Sequence, residues 1–440
     1  MSLIHGWKFQ CANSTCLPFV NVITSPIIKC QIACLAQTYC RAASFHQLTS
    51  NCELFTDMSN EIAHMVTDMD IITMVVIAGA RSSSEPTTTT STTSSTTKTS
   101  KTSTTTSTTT SSTTTSSTTK TSTTTAFTAR WNATGTTVAG NAGGTSGVSA
   151  GLLSGPYVVR LDSTNALYIS DISNNRIQKW VIGNSAGTTV AGLANGTSGA
   201  SSTTLSQPVG LVIDSSNNMY IADKYNHRVM YWENGASSGS MIAGTGSAGS
   251  ANNQFNGCNT VERVSSSGTL YISDLANQRI MQYLNGSSSG TVVAGGNGAG
   301  TGSTQLWYPF GFTLDSSTNS LIIANYDAHS VVRWVIGDTS WTLLAGSSTG
   351  VSGSSSTLLN SPVGVAVDQY GNIYVADSSN HRIQFFLAGQ SSATTISGVT
   401  GSAGISATQL NSPYGVTLDS QFNLYVADTG NNRVQRFARY

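Results

Sequence analysis

Short runs of apolar and β-branched residues, separated by polar turns, recur through the C-terminal two-thirds of the chain. One copy contains four such runs, Val209–Asp214, Met219–Asp223, His227–Trp232 and Ser240–Gly244. Their composition favours half-buried strands, because β-branched and aromatic side chains suit a pleated surface. The polar residues at 215–218 and 224–226 are typical of hairpin loops. Each copy therefore predicts four antiparallel strands, and no helical periodicity is sustained within the repeats.

The pattern occurs six times, at a spacing of 51 or 52 residues. The second strand of successive copies ends at Asp171, Asp223, Asp274, Asn325, Asp377 and Asp428. Four-stranded units repeated at this period form a β-propeller, so the fold class is mainly β. A strand-like segment at 136–140 precedes the first copy, whereas the last copy ends after its third strand. We predict six blades, with this N-terminal strand closing the last blade and removing the free sheet edges.

The fullest copy reads S-P-V-G-V-A-V-D from Ser361 and I-Y-V-A-D-S-S-N-H-R-I from Ile373. This pattern resembles the NHL repeat, and its six in-phase copies cover residues 127–440. The resemblance implies an NHL-like six-bladed propeller. It implies no particular activity, because propellers host many unrelated functions.

An aspartate followed five residues later by an arginine recurs in five of the six copies. The pairs are Asp171/Arg176, Asp223/Arg228, Asp274/Arg279, Asp377/Arg382 and Asp428/Arg433. The fourth copy has Asn325 and Ser330 instead, so both partners are lost together. This joint loss predicts a structural carboxylate–guanidinium contact across the turn rather than a catalytic role.

The N-terminal segment concentrates the cysteines of the chain. Six of the seven lie in the first 52 residues, at Cys11, Cys16, Cys30, Cys34, Cys40 and Cys52. An even, dense set predicts a disulfide framework and an oxidising compartment, and the paired Cys-x-x-Cys ligands of a zinc site do not occur. Cys30 and Cys34 would share one helix face.

These cysteines, together with Ala42 and Phe45, resemble the PAN/apple domain over residues 1–81. The resemblance implies a small α+β domain in which disulfides pin a central helix to a sheet. It also implies binding to proteins or carbohydrates. An unrelated small disulfide domain is the alternative, because such spacings specify little.

Residues 82–126 are almost entirely Ser and Thr, which predicts a disordered linker that is a candidate for O-glycosylation. N-glycosylation sequons begin at Asn13, Asn132, Asn195 and Asn285. No signal peptide is visible, so we expect an incomplete N-terminus in a secreted, extracellular protein. No apolar run reaches the ~18 residues of a membrane-spanning helix.

Charge argues against a nucleic-acid partner. Residues 127–440 contain 13 Lys and Arg against 14 Asp and Glu, so the basic face that neutralises phosphates is not expected. The expected partner is a protein or a carbohydrate.

The metal-ligand positions of two kinds of propeller enzyme can be compared with this sequence. A peptidyl-hydroxyglycine lyase-like propeller holds zinc with histidines that directly follow the proline opening the inner strand. That slot holds Tyr157, Val209, Phe310, Val363 and Tyr414, and the third copy lacks the proline. The histidines His227, His329 and His381 share a different slot with Asn175, Gln278 and Asn432. Because zinc rejects amides, this slot predicts a structural hydrogen bond.

A lactonase-like propeller would instead hold calcium with inward carboxylates. The repeated Asp162, Asp214, Asp315, Asp368 and Asp419 precede the first hairpin loop, which predicts capping of the turn. Glu262 is aligned with Val159, Leu211, Phe312, Val365 and Val416. We interpret it as either paired or marking a local register shift. The adjacent Arg263 should face away from it.

One surface stands out as a candidate binding patch. The fourth copy has Trp307 and Tyr308 before its proline and Tyr326 and Asp327 in its turn. Aromatic residues with polar neighbours suit recognition of proteins or sugars, and ordinary packing between blades is the alternative. The lone Cys258 is interpreted as a buried apolar residue rather than a nucleophile.

These patterns predict a non-enzymatic recognition or adhesion protein without cofactor or metal, whose propeller is a rigid binding platform. The main alternative is a metal-dependent propeller enzyme, lyase-like or lactonase-like. A second alternative is substrate docking, by analogy with NHL ubiquitin ligases, although the RING pattern of those proteins does not occur.

Overall fold

The computed structural model describes residues 130–440 and, before them, the backbone of four strands. These are β1 Lys8–Cys11, β2 Ala42–His46, β3 Asn51–Phe55 and β4 Ile71–Val75. They form one sheet in the order β1-β3-β2-β4, in which β1 is parallel to β3 and the other pairs are antiparallel. The cysteine side chains of this segment, Asn13 and the linker 82–126 lie outside the described residues. The disulfides, the PAN/apple domain and the linker therefore stay predictions.

The repeats fold into six four-stranded antiparallel sheets, called here blades 1 to 6, whose first strands contact one another around a central axis. Blade 1 comprises β6 Pro156–Leu161, β7 Leu167–Asp171, β8 Arg176–Trp180 and β9 Thr188–Gly192. Blade 2 comprises β10 Pro208–Ile213, β11 Met219–Asp223, β12 Arg228–Trp232 and β13 Ser240–Gly244. Blade 3 comprises β14 Cys258–Arg263, β15 Leu270–Asp274, β16 Arg279–Tyr283 and β17 Thr291–Gly295.

Blade 4 comprises β18 Pro309–Asp315, β19 Ser320–Asn325, β20 Ser330–Val335 and β21 Thr342–Gly346. Blade 5 comprises β22 Pro362–Val367, β23 Ile373–Asp377, β24 Arg382–Phe386 and β25 Ala393–Gly398. Blade 6 comprises β26 Val416–Leu418, β27 Leu424–Asp428, β28 Arg433–Phe437 and β5 Thr136–Gly140. The helices described are single 3-10 turns, at Ile172–Asn174, Lys224–Asn226, Leu275–Asn277, Ser378–Asn380 and Thr429–Asn431. None of them approaches the length of a membrane-spanning helix.

The closing strand β5 pairs with β28 as predicted, with Gly140 opposite Arg433. The Thr137 hydroxyl donates to the Gln435 side-chain oxygen at 3.0 Å. Blades 1 and 5 contain the same cross-strand bond, Thr189 to Gln178 at 3.2 Å and Thr395 to Gln384 at 2.8 Å. The closed blade thus reproduces the side-chain pairing of blades built from one continuous segment, and the prediction of closure is confirmed.

Glycines set how closely the inner strands approach one another. A Cβ on Gly364 would overlap the carbonyl oxygen of Tyr414 in the next blade. A Cβ would likewise overlap a carbonyl oxygen of the next blade at Gly210, Gly311 and Gly415. Only glycine allows this contact between two backbones. In blade 3 the equivalent residue is Thr260, whose hydroxyl donates to the Phe310 carbonyl at 2.8 Å.

The predicted Asp–Arg pairs are confirmed in all five blades. In blade 2, Arg228 Nε donates to Asp223 Oδ2 at 2.8 Å, and both side chains are buried. The other oxygen of Asp223 accepts the Ser206 N–H at 2.6 Å, just before the inner strand. The terminal nitrogens of Arg228 donate to the carbonyls of Ala200 and Thr204. The pair therefore joins the turn to the loop that leads into the same blade.

The histidine slot also has the predicted hydrogen-bonding role. Each side chain in the slot accepts the backbone N–H of the residue before the inner strand of the next blade, for example His329 Nδ1 from Ser361 at 3.0 Å. The other five are His227 with Gly257, His381 with Ser412, Asn175 with Gln207, Gln278 with Tyr308 and Asn432 with Gly155. Both residues of every bond have positive φ. This ring of bonds links each blade to its neighbour, including blade 6 to blade 1.

Removing one partner of a buried pair should be strongly destabilising. Arg382→Met leaves the Asp377 carboxylate buried without its cation, and we expect a loss of about 3–5 kcal/mol in the free energy of unfolding. The double variant Asp377→Asn/Arg382→Ser copies blade 4 and leaves no buried charge, so it should cost less. Urea unfolding of the 440-residue chain measures both. A double variant as unstable as the single one would contradict this account.

His329 should make stability depend on pH. Burial lowers the pKa of His329, although Asp327 and Asp377 oppose the shift. The folded state therefore binds fewer protons than the unfolded state, and stability is lost as pH falls below the unfolded pKa of about 6.5 and on through the lower pKa of the folded state. His329→Asn retains an acceptor for the Ser361 N–H, and it should lose less stability than the wild type between pH 7.5 and pH 5. Equal losses in urea unfolding would refute the assignment.

Candidate functional site

The structure brings the four predicted patch residues together at the start of blade 4. Trp307 and Tyr308 precede β18, and Tyr326 and Asp327 follow β19. The Tyr326 N–H donates to the Tyr308 carbonyl at 3.1 Å, and the Asp327 N–H donates to the Trp307 carbonyl at 3.3 Å. Tyr308 is 37% exposed, and the other three are half-buried. They lie on the entrance face, defined as the loops before the first strands and the turns after the second strands.

Tyr308 has a strained backbone conformation at this face. Its φ is 49°, in the left-handed region that costs an L-residue about 1–2 kcal/mol. The same slot holds smaller or more flexible residues in the other blades, Gly155, Gln207, Gly257, Ser361 and Ser412. The Gln278 side chain holds the conformation by accepting the Tyr308 N–H at 2.6 Å. Strain of this kind is frequent at ligand sites.

Beside the patch, one residue from each blade converges on the axis. This axial ring consists of Tyr157, Val209, Asn259, Phe310, Val363 and Tyr414. The rings of Tyr157 and Tyr414 lie 4.8 Å apart, and those of Phe310 and Tyr326 lie 4.6 Å apart. Beneath them the channel narrows to a cavity of about 30 Å³, enough for one or two water molecules. The space at the axial ring therefore has room for nothing larger than water, and the surface above the ring is called here the mouth.

The sequence analysis aligned Glu262 with the other repeats incorrectly, by one residue. Cys258 lies opposite Asp274 just as Pro208 lies opposite Asp223, and both pairings have the same irregularity after this residue, so Cys258 occupies the proline slot in the register of the other blades. Val261 is thus the residue aligned with Val159, Leu211, Phe312, Val365 and Val416. Glu262 is aligned with Arg160, Val212, Thr313, Ala366 and Thr417. The lost proline concealed the true alignment and also concealed Asn259 in the axial ring.

Glu262 is paired, but with a residue that sequence reasoning did not consider. Arg160 Nη2 of blade 1 donates to Glu262 Oε1 of blade 3 at 2.7 Å, and the side chains are 23% and 15% exposed. Burial raises the pKa of Glu262, and Arg160 opposes this shift. Arg263 faces elsewhere, as predicted, with its guanidinium 5.1 Å from the Tyr220 ring centre. The ion pair connects two blades that are not neighbours.

The remaining candidate groups have structural roles. Asp368 Oδ1 accepts the N–H groups of Tyr370 and Asn372 at 2.9 Å, which confirms the predicted turn cap. Asp162, Asp214, Asp315 and Asp419 cap their turns in the same way. Cys258 is fully buried, and burial raises its thiol pKa. In the part of the chain that the structure describes, no three His, Cys, Asp or Glu side chains cluster at metal-binding distance.

Lys224 is a further charged group at the mouth, and sequence reasoning missed it. It begins the turn after β11, in the slot that holds Tyr326 in blade 4. Its Nζ lies 5.9 Å from the Phe310 ring centre and 5.8 Å from that of Tyr225. Within residues 130–440 it has no hydrogen-bond or ion-pair partner. The residue in this slot varies from blade to blade, and Lys224 is its one charged member. That difference is the feature by which the sequence could have identified it.

Three of the predicted glycosylation sequons can be placed. Asn132, Asn195 and Asn285 are exposed and lie outside the strands of the propeller. Their modification stays a prediction.

Variants of Arg160 and Glu262 test whether the ion pair between blades 1 and 3 stabilises the fold. Glu262→Gln leaves Arg160 without its counter-charge, and we expect a loss of about 1–3 kcal/mol in the free energy of unfolding. The double variant Arg160→Val/Glu262→Thr installs the residue types that blades 2 and 4 have in this slot, and it should recover most of that loss. Urea unfolding measures both. A double variant that is no more stable than Glu262→Gln would show that the pair is not the cause.

Comparison with known proteins supports this architecture. The NHL repeat family matches residues 205–229, 359–386 and 410–437, in blades 2, 5 and 6. Protein SUPPRESSOR OF QUENCHING 1, chloroplastic, of Arabidopsis thaliana is 25% identical over an alignment of 264 residues, and the match covers 52% of this chain and 24% of that protein. The chain thus spans about a quarter of the length of this relative.

Two solved structures have a similar fold at low sequence identity. A protein of unknown function from Bacteroides thetaiotaomicron has a TM-score of 0.54 at 15% identity, over 70% of this chain and 76% of that one. An auxiliary nutrient binding protein from Bacteroides ovatus has a TM-score of 0.52 at 13% identity, over 71% and 77%. At these identities the likeness shows the fold alone. The chain therefore carries NHL repeats, and these repeats build a six-bladed β-propeller.

Proposed function

We propose that the propeller is a non-enzymatic recognition platform that binds a protein or carbohydrate ligand on the entrance face of blade 4. One observation carries the proposal: blade 4 replaces several repeat residues on this face by aromatic ones. Trp307 stands where the other blades have Ser154, Ser206, Asn256, Asn360 and Asn411. Tyr308 replaces glycine, glutamine or serine, and its strained backbone is retained.

The patch is well suited to binding because it is rigid. Two backbone hydrogen bonds join the Trp307–Tyr308 segment to the Tyr326–Asp327 turn, and Gln278 of blade 3 holds Tyr308. A preorganised surface loses little conformational entropy on binding. Tyrosine and tryptophan offer large apolar faces together with a polar group, which is the composition of binding hot spots.

The side chains that a metal-dependent propeller enzyme would use are engaged in structural bonds, which supports a binding role. The three histidines accept backbone N–H groups, the repeated aspartates cap turns, and Glu262 pairs with Arg160. The Bacteroides ovatus protein of similar fold is described as a nutrient binding protein, which is compatible with a binding role for this propeller.

We propose an extracellular location on the basis of the N-terminal cysteines. The six cysteines at 11–52 predict a disulfide domain over 1–81, which the linker 82–126 would carry as a second adhesive module. The propeller would then present the blade 4 patch to an extracellular protein or glycan.

The double variant Trp307→Asn/Tyr308→Ser tests the patch. It installs the Asn-Ser-Pro sequence of blades 5 and 6, so the fold should be retained with an unchanged melting temperature. We expect at least about tenfold weaker capture of the 440-residue chain on immobilised glycans and extracellular-matrix proteins, because a lost hot spot costs about 2 kcal/mol or more.

A matched control is available on the opposite loops. Tyr370 and Phe422 stack at 5.9 Å in the first hairpins of blades 5 and 6, and Tyr370 is 61% exposed. Tyr370→Ser should leave capture unchanged. Capture that survives Trp307→Asn/Tyr308→Ser, or that depends on Tyr370 instead, would refute the proposal.

A further inference from the structure

We propose that the mouth beside blade 4 binds a sugar residue that bears a carboxylate, and that Lys224 is the contact for the carboxylate. The inference rests on the proposed recognition function of the entrance face and names its ligand class. Its structural basis is a half-buried lysine without a counter-charge above a cluster of aromatic rings.

The position of Lys224 places its charge at the mouth. Lys224 belongs to blade 2, yet its Nζ lies 5.9 Å from the ring centre of Phe310 in blade 4. The side chain therefore extends past the start of blade 3. Phe310 stacks on Tyr326, which is part of the blade 4 patch. One ligand at the mouth could thus contact both the ammonium group and the patch.

A half-buried ammonium group is costly without a partner. The propeller has a second lysine, Lys179, whose Nζ lies 3.2 Å from Asp162 Oδ2. Lys224 has no such carboxylate among the described residues, and burial lowers its pKa. A bound carboxylate would supply the missing counter-charge with a charge-assisted hydrogen bond.

The other groups at the mouth favour a sugar as the carrier of the carboxylate. The axial ring offers the half-buried side chains of Phe310 and Tyr414, and aromatic rings suit the C–H face of a sugar ring. Asn259 is fully buried, and its Nδ2 donates to the Phe310 carbonyl at 2.7 Å, so it holds the aromatic floor of the mouth in place beneath the sugar. The cavity below holds only water-sized groups, so the sugar would rest on the mouth and not enter the channel.

Asp327 is the carboxylate of the blade 4 patch, and it sets the orientation of the ligand. It follows Tyr326 directly and has no side-chain ion pair within residues 130–440. Like charges repel, so the ligand carboxylate should point toward Lys224 and away from Asp327.

A matched pair of probes tests the assignment, methyl β-D-glucuronide and methyl β-D-glucoside, titrated calorimetrically into the 440-residue chain. Because a hydrogen bond to a charged group contributes about 1.5–3 kcal/mol, the wild type should bind the glucuronide about tenfold more tightly or better. Lys224→Gln should abolish this preference, and Lys224→Arg should retain it. Lys179→Gln is the control and should change nothing. Raising the salt from about 50 mM to about 500 mM should weaken the binding of the glucuronide alone.

The outcomes separate this inference from the proposed function. Equal affinity for the two sugars, with both weakened by Trp307→Asn/Tyr308→Ser, would overturn the role of Lys224 and leave the binding platform intact. If the chain binds N-acetylglutamate through Lys224 and does not bind the glucuronide, the ligand is an acidic peptide group and the assignment of a sugar is overturned. Binding of neither sugar at millimolar concentration would overturn the inference. Binding unaffected by the Lys224 and blade 4 variants would overturn both proposals.

Discussion

The buried carboxylate that ends the second strand in five of the six blades is the contact on which the geometry of those blades depends. In blade 5, Asp377 accepts hydrogen bonds from Arg382, from the Asn380 side chain and from the Asn360 N–H before the inner strand. A buried charge is tolerated only when its bonds are complete, so this network holds the turn and the incoming loop in one relative position. The inner strands then reach the axis at a common height, and one residue of each blade enters the axial ring.

Blade 4 shows how the same scaffold accommodates a cluster of aromatic side chains. Asn325 and Ser330 replace the charged pair, and the Asn325 oxygen still accepts the Trp307 N–H, so the loop keeps its place. The Asn325 side-chain nitrogen is buried without a partner in the described chain, a cost that the five charged blades avoid. The unpaired Asn325 amide and the additional aromatic residues thus lie on the same face of blade 4. A rigid propeller can carry this cost because the bonds between neighbouring blades hold the loop from the side.

The side-chain contacts that were predicted correctly join residues close to each other in the sequence. Asp377 and Arg382 are five residues apart, and the turn-capping Asp368 contacts residues two and four positions later. Comparison of six copies of one segment reveals such pairs, because both partners change within the same copy. The sequence also indicated that the histidine slot needs a hydrogen-bonding side chain. It did not show that this side chain is an acceptor or that its donor lies in the next blade, some 30 residues away.

The amino-acid pattern by itself determined the number of blades, their strands and the bonds within each repeat, because these depend on local spacing. It also determined the closing strand, because the last copy ends after its third strand. Tertiary structure alone decided what meets at the axis. Arg160 and Glu262 are 102 residues apart, and Lys224 reaches Phe310 two blades away. No local pattern encodes these contacts, since they depend on the angle at which six blades close and on the depth to which each inner strand enters the ring. The mouth and its charged Lys224 therefore form only when the six blades close into a ring.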